Sequence, residues 1–237
     1  MDGPEHPSHG TVARGKNQVA GVARGEGDSC TSGLSRLCRS ILQFMSTRSI
    51  SEYFGNHRRV VDDSLQSLAG PIDAAAAALV SSLRAGGKLI CFGNGGSATQ
   101  ASHMVGELIG RFKSNRRPLP AVSLASDAGA VTCISNDFGY EALFARQVTA
   151  LANRGDIALG LTTSGGSENV LRALAAAKKR GAVTIALCGE HGLARGDADH
   201  LLSVPSSSTA HIQEVHLMVL HLLCMAVEEA FPPEPAS

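Results

Sequence analysis

His103 and Glu107 stand four residues apart, which on a helix puts an imidazole and a carboxylate on one face. Such a pair can hold a divalent metal, move a proton, or meet as an ordinary surface contact. A second set of polar groups, Gln213, Glu214, His216 and His221, lies in an otherwise apolar stretch from Ile212 to Leu223. Polar side chains on a helix that apolar demand partners when buried. Imidazole and carboxylate are good zinc ligands, and an amide oxygen is an acceptable one. Gln213 and His221 are eight apart, roughly 12 Å along a regular helix and about 80° around it. They can share one metal only by leaning toward each other or by coming from different subunits.

Two further segments have the chemistry of an anion cradle. Gly93-Asn94-Gly95-Gly96 turns the chain after a buried apolar run, Leu89-Ile90-Cys91-Phe92, and Ser97 occupies the expected N-cap of the next helix. Strand, glycine turn and helix in that order aim backbone N–H groups and the positive helix end at one point, which suits a phosphate. Thr162-Thr163-Ser164-Gly165-Gly166-Ser167 gathers four hydroxyls and flexible backbone at another helix start. A polar N-cap loop is its plainer alternative. Neither segment has the spacing G-x-x-x-x-G-K-[ST] or G-x-G-x-x-G, which disfavours nucleotide and dinucleotide sites. A sugar phosphate fits better.

The elements that must position these groups alternate. Strands are predicted at 89–92, 121–124, 156–161, 182–187 and 200–204, with helices over 97–110, 128–135, 140–151, 170–179 and 209–230. Asn136-Asp137 is expected to end the helix over 128–135. That order predicts an α/β fold, a doubly wound parallel sheet covered on both faces. Ligands of such sheets bind beyond the carboxyl ends of the strands at the switch point, where both cradles would meet. Two extra helices, 50–68 and 72–84, are expected before the first strand, separated by Gly70-Pro71.

Composition narrows the function. Apolar residues make up 43% and charged residues 18%, with 21 basic and 21 acidic side chains. That balance argues for neither nucleic-acid nor anionic-membrane binding. No apolar run is expected to span a bilayer, and no secretory core is expected near the N-terminus. The six scattered cysteines read as buried free thiols of a cytoplasmic protein, Cys91, Cys133, Cys188 and Cys224 among them as core. Residues 1–44 read as a disordered extension ahead of one domain over 45–232.

Taken together, the residues carry a family resemblance. Gly93-Asn94-Gly95-Gly96-Ser97, the His103/Glu107 pair, Ser135-Asn136-Asp137, the 162–167 loop, and Ile212-Gln213-Glu214-Val215-His216 ending at His221 resemble a SIS (sugar isomerase) domain. The likeness is to its phosphoheptose isomerase branch, and it covers about residues 49–231. The resemblance implies a flavodoxin-like three-layer sandwich and conversion of sedoheptulose 7-phosphate to D-glycero-D-manno-heptose 7-phosphate. It also implies a cytoplasmic homotetramer with active sites between subunits and zinc at each. Position by position, it implies zinc ligands at His103, Glu107, Gln213 and His221, with Glu107 and His221 as the acid–base pair. Substrate contacts would come from Asn94, Gly95, Gly96, Ser97, Glu107, Asn136, Asp137, Thr162, Thr163, Ser164, Ser167 and Gln213. Three positions depart from the family pattern, which usually has asparagine at Gly166, often serine at Thr162, and commonly arginine at His211. The competing reading is a non-catalytic SIS protein that binds a partner such as a replication initiator. Relatives of that kind lack the acidic residue and the terminal histidine, and both are present here.

Overall fold

Five short strands, each followed by a helix or a loop, stack side by side in a computed structural model that describes residues 46–233 apart from Arg195. The strands are β1 (Leu89–Gly93), β2 (Ala121–Ser123), β3 (Ile157–Thr162), β4 (Val183–Gly189) and β5 (His200–Val204). All pair in parallel, in the order β2-β1-β3-β4-β5. Chain direction across the sheet therefore reverses between β1 and β3, and the turns after those two strands open side by side. The predicted doubly wound sheet is present. The expected disordered segment, residues 1–44, lies outside the described residues.

Alternation along each strand divides the core in two. Leu89, Cys91, Leu159, Leu161 and Leu187 face one layer, built from α1 (Thr47–Arg84), α2 (Gly96–Ile109) and α6 (Thr209–Ala230). Ile90, Phe92, Ala158 and Ala186 face the other, built from α4 (Leu143–Leu151) and α5 (Glu168–Arg180). Between β2 and α4 lie α3 (Ala128–Phe138) and a 3₁₀ turn, Tyr140–Ala142. Helix α3 runs through Asn136 and Asp137 rather than ending at them.

Three further expectations are corrected. The N-terminal helices are one, since α1 is 38 residues long and Pro71 lies inside it. An interior proline costs about 3 kcal/mol. Leu68, Ala75, Leu79 and Leu83, on both sides of it, are buried in the same cluster, and each buried leucine contributes about 1.5–3 kcal/mol. Burial outweighs the local break. Cys91, Cys188 and Cys224 are buried free thiols as expected, whereas Cys133 is exposed on α3. Burial pushes the Cys224 thiol up to about 12 and Cys91 higher still, so neither is a ready nucleophile. Among the described residues α6 is long and apolar enough to cross a membrane, and half of its most apolar stretch is buried within the protein.

Candidate active site

The first cradle is shaped by glycines that leave room for neighbours. A Cβ on Gly93 would lie 2.8 Å from both the Leu161 carbonyl oxygen and the Ser97 Cβ, so only glycine lets α2 start this close to β3. Gly95, with φ of 54°, is the N-cap of α2, and glycine suits that left-handed backbone. Ser97 is therefore not the cap. It is buried one residue inside the helix, and its N–H donates to the Asn94 carbonyl. Gly96 presses on the next element, since a Cβ there would meet the Gln213 amide nitrogen at 2.6 Å. Gln100 Nε2 donates to the Gln213 carbonyl at 2.7 Å, pinning the head of α6 to α2.

The second cradle is a self-bonded loop. The Thr162 hydroxyl donates to the Ser167 hydroxyl at 3.0 Å and accepts from the Gly165 N–H at 3.2 Å. The Ser164 hydroxyl accepts from the Gly166 N–H at 3.2 Å. Thr162 is buried and acts as the internal post of the loop, while Ser164 and Gly166 are exposed. Gly165 has φ of 69° and packs against Gly192, where a Cβ would clash. Ser167, the N-cap of α5, makes no side-chain cap bond, so the first turn of α5 is not closed by its own hydroxyl.

Asn94 ties the two cradles together. Its amide nitrogen donates to Asn169 Oδ1 at 2.9 Å, and its oxygen accepts from Asn169 Nδ2 at 2.9 Å and from the Tyr140 hydroxyl at 2.8 Å. Asn169 and Tyr140 were not singled out in the sequence. Their signal there is weak, because one is a helix residue and the other an aromatic at a turn. Asn136 and Asp137, exposed on the last turn of α3, bond to each other at 2.7 Å.

Three of the four expected metal ligands gather on the α2–α6 seam. His103 Nε2 is 3.0 Å from His221 Nε2 and 3.4 Å from Glu107 Oε1. Seven residues separate His103 from Gly96, about 10 Å along α2. Gln213 therefore stands at the cradle end of the seam, against Gly96, and is not with the other three. Arg116 holds the far end of α2, donating to the Glu107 and Leu108 carbonyls at 2.6 and 2.8 Å. A buried cation on the last carbonyls also opposes the negative helix end.

A second polar cluster lies between α1 and α6. His57, His211 and Glu214 place one ligand atom each within 4.8 Å of one another. Glu214 accepts from the Tyr53 hydroxyl at 2.5 Å. Burial alone would raise the Glu214 pKa. The hydrogen bonds from Tyr53 and His211 and the charges of His57 and His211 outweigh it and hold the carboxyl below its usual range. The sequence marked Glu214 only as a polar residue on an apolar helix, and His57 not at all.

The chain is similar to known proteins over most of this fold. Residues 52–189 match the SIS domain family. A phosphoheptose isomerase of Nitratiruptor sp. is 46% identical over 176 residues, covering 74% of this chain and 94% of that protein. The structure of a phosphoheptose isomerase from Francisella tularensis superposes with a TM-score of 0.74 at 38% identity, covering 78% of this chain and all of that one. A phosphoheptose isomerase structure from Neisseria gonorrhoeae gives 0.72 at 35% identity, over 77% of this chain and 98% of that one.

Proposed function

This chain belongs to the SIS-domain family, in its phosphoheptose isomerase branch, and is a sugar-phosphate isomerase; from that premise we propose that it converts sedoheptulose 7-phosphate to D-glycero-D-manno-heptose 7-phosphate. The observation that carries the reading is the junction of two hydroxyl- and glycine-lined cradles with a Glu107–His103–His221 group on the seam between α6 and α2, the helix leading from one of them. Relatives of the partner-binding kind lack the carboxylate and the last histidine. The binding-module reading gives way to the enzyme.

In the proposed reaction Thr163, Ser164 and Ser167, with the first turn of α5, hold the phosphate. Thr162 keeps that loop in shape. Asn94, with the Gly95-Gly96 backbone and Ser97, lines the sugar side, and Asn136 and Asp137 approach from α3. Glu107 takes the proton from the carbon beside the ketose carbonyl and returns it to the neighbouring carbon, which becomes the chiral centre of the aldose. His221 moves the second proton between the two oxygens of the enediol. A carboxylate within reach of one carbon and an imidazole within reach of the oxygens is what a 1,2-enediol shift requires.

A zinc ion fits the donor set. Nitrogen–nitrogen and nitrogen–oxygen separations of 3.0 and 3.4 Å are close to the edge, about 3.3 Å, of a tetrahedron with metal–ligand bonds of about 2.0 Å. His103, Glu107 and His221 would hold it, and Gln213 would complete the set by leaning over or from a neighbouring subunit. When bound, zinc supplies Lewis-acid polarisation of the sugar oxygens.

The proposed assembly is a cytoplasmic homotetramer with active sites between subunits. An apolar groove of about 430 Å³ supports it, running between α1 and α6 and lined by Val61, Leu65, Ile72, Met218, Val219 and Leu222. Purified protein, assayed with sedoheptulose 7-phosphate and a coupled readout of the aldose, should turn over and lose that turnover on chelation. Absence of turnover at saturating substrate and zinc would overturn the proposed substrate.

A further inference from the structure

The cluster between α1 and α6 is built differently from the group on the α2–α6 seam, and the proposed reaction does not use it. His211 and Glu214 are three residues apart on the first turns of α6, and Tyr53 and His57 are four apart on α1, so each helix presents one face to the other. His57 Nδ1 lies 2.8 Å and His211 Nδ1 3.1 Å from the same carboxylate oxygen, Glu214 Oε2. The His211 contact is a hydrogen bond. His57 Nδ1 is shut off from solvent and has no hydrogen-bond partner.

A buried ring nitrogen aimed at a carboxylate without a hydrogen bond asks for a cation between them. The rest of the cluster prepares for one. The Tyr53 hydroxyl occupies the other carboxylate oxygen, Oε1, turning Oε2 toward the two imidazoles, and the Tyr53 ring packs on His211 at 4.6 Å between centroids. A carboxylate or hydroxyl fixing the orientation of first ligands is how metal sites are supported. The 2.8 and 3.1 Å separations are slightly inside a tetrahedral edge of about 3.3 Å. Ligands converging on an ion would need only small outward rotations.

We propose that His57, His211 and Glu214 form a second metal site, for a divalent first-row ion of the zinc class, that clasps α1 to the head of α6. Two imidazoles and one carboxylate leave a fourth position for water, and such nitrogen-rich sets select zinc-class ions over magnesium or calcium. Because Gln213 lies beside Glu214 and against Gly96, the clasp also steadies the cradle end of the seam.

The test uses the full chain carrying His103→Ala and His221→Ala, which removes the proposed catalytic ligands. After incubation with zinc and desalting, elemental analysis should give one equivalent per chain. Cobalt in place of zinc should give the intense visible bands of a four-coordinate nitrogen–oxygen site. Adding His57→Ala should abolish both, with the circular dichroism spectrum unchanged. Tyr53→Phe should keep the site but weaken it by about 10- to 100-fold. Zinc should also raise the melting temperature of the His103→Ala/His221→Ala protein and not that of the further His57→Ala variant. No retained metal in the first variant, or metal retained through both His57→Ala and Glu214→Gln, would overturn the proposal. Isomerase turnover enters none of these measurements, so they stand apart from the proposed reaction.

Discussion

Asn94 and Asn169 hydrogen-bond to each other twice, amide to amide, across the gap between the turn after β1 and the start of α5. The pair joins the two cradles of a site whose parts are 75 residues apart in the chain. Asn169 is buried, so removing it leaves Asn94 with an unmatched donor rather than a solvated one. Asn169→Leu, close in size, should raise KM for the sugar phosphate by about tenfold or more while costing about 1–3 kcal/mol of stability. Tyr140→Phe, which removes one bond from Asn94 Oδ1, should cost about 1 kcal/mol or less and move KM little. An unchanged KM in the Asn169 variant would mean the two cradles are set independently.

The groove between α1 and α6 predicts the assembly. Leu65 is 70% exposed and Phe54 67% exposed, with Met218 and Leu222 also open to solvent. Apolar side chains lined up on two adjacent helices mark a surface that another protein covers. Light scattering on the wild-type protein should give a tetramer at micromolar concentration, and Leu65→Glu should shift it to smaller species. A monomeric wild type would contradict the proposed assembly.

His216 gives the fold a pH limit. It is fully buried, bonded through Nε2 to the Cys188 carbonyl at 3.3 Å, and burial pushes its pKa from 6.5 down to about 4. A group held neutral in the fold contributes no penalty above the unfolded value. Its stability is lost as pH falls from about 6.5 to 4, because the unfolded chain takes up the proton first. The loss is on the order of 3 kcal/mol. In the presence of chelator, the urea midpoint of the wild type should therefore drop between pH 7 and pH 4.5 by more than that of His216→Gln. Equal drops would assign the acid sensitivity elsewhere.

Much of this was legible in the sequence because it depends on local chemistry. Buried parallel strands read as short apolar runs, and β5 and α6 fall where the pattern places them. Both cradles were visible as glycine and hydroxyl clusters, and the spacing of His103 and Glu107 fixed their shared face. What the sequence hid was decided by tertiary burial or by contact between distant residues. Pro71 reads as a stop, yet the apolar face on either side of it carries α1 through. Ser97 reads as a cap, yet the close approach of α2 to β3 gives that position to Gly95. Asn169, Tyr140 and His57 acquire their roles only from partners 46 to 157 residues away. The distance of Gln213 from the His103 group follows the eight-residue spacing from His221 that had already set it apart.

Glu107 carries the central claim, and its isosteric amide tests it most directly. Glu107→Gln keeps the size of the side chain, and the backbone there stays held by Arg116, so the fold should survive. General-base catalysis is worth about 10²–10⁴ in rate. With zinc content measured on the same sample, turnover of sedoheptulose 7-phosphate should fall by at least about 10² and should stay low when excess zinc restores full metal content. Recovery of wild-type turnover on adding zinc would show that Glu107 serves only to hold the metal, and would contradict its assignment as the base.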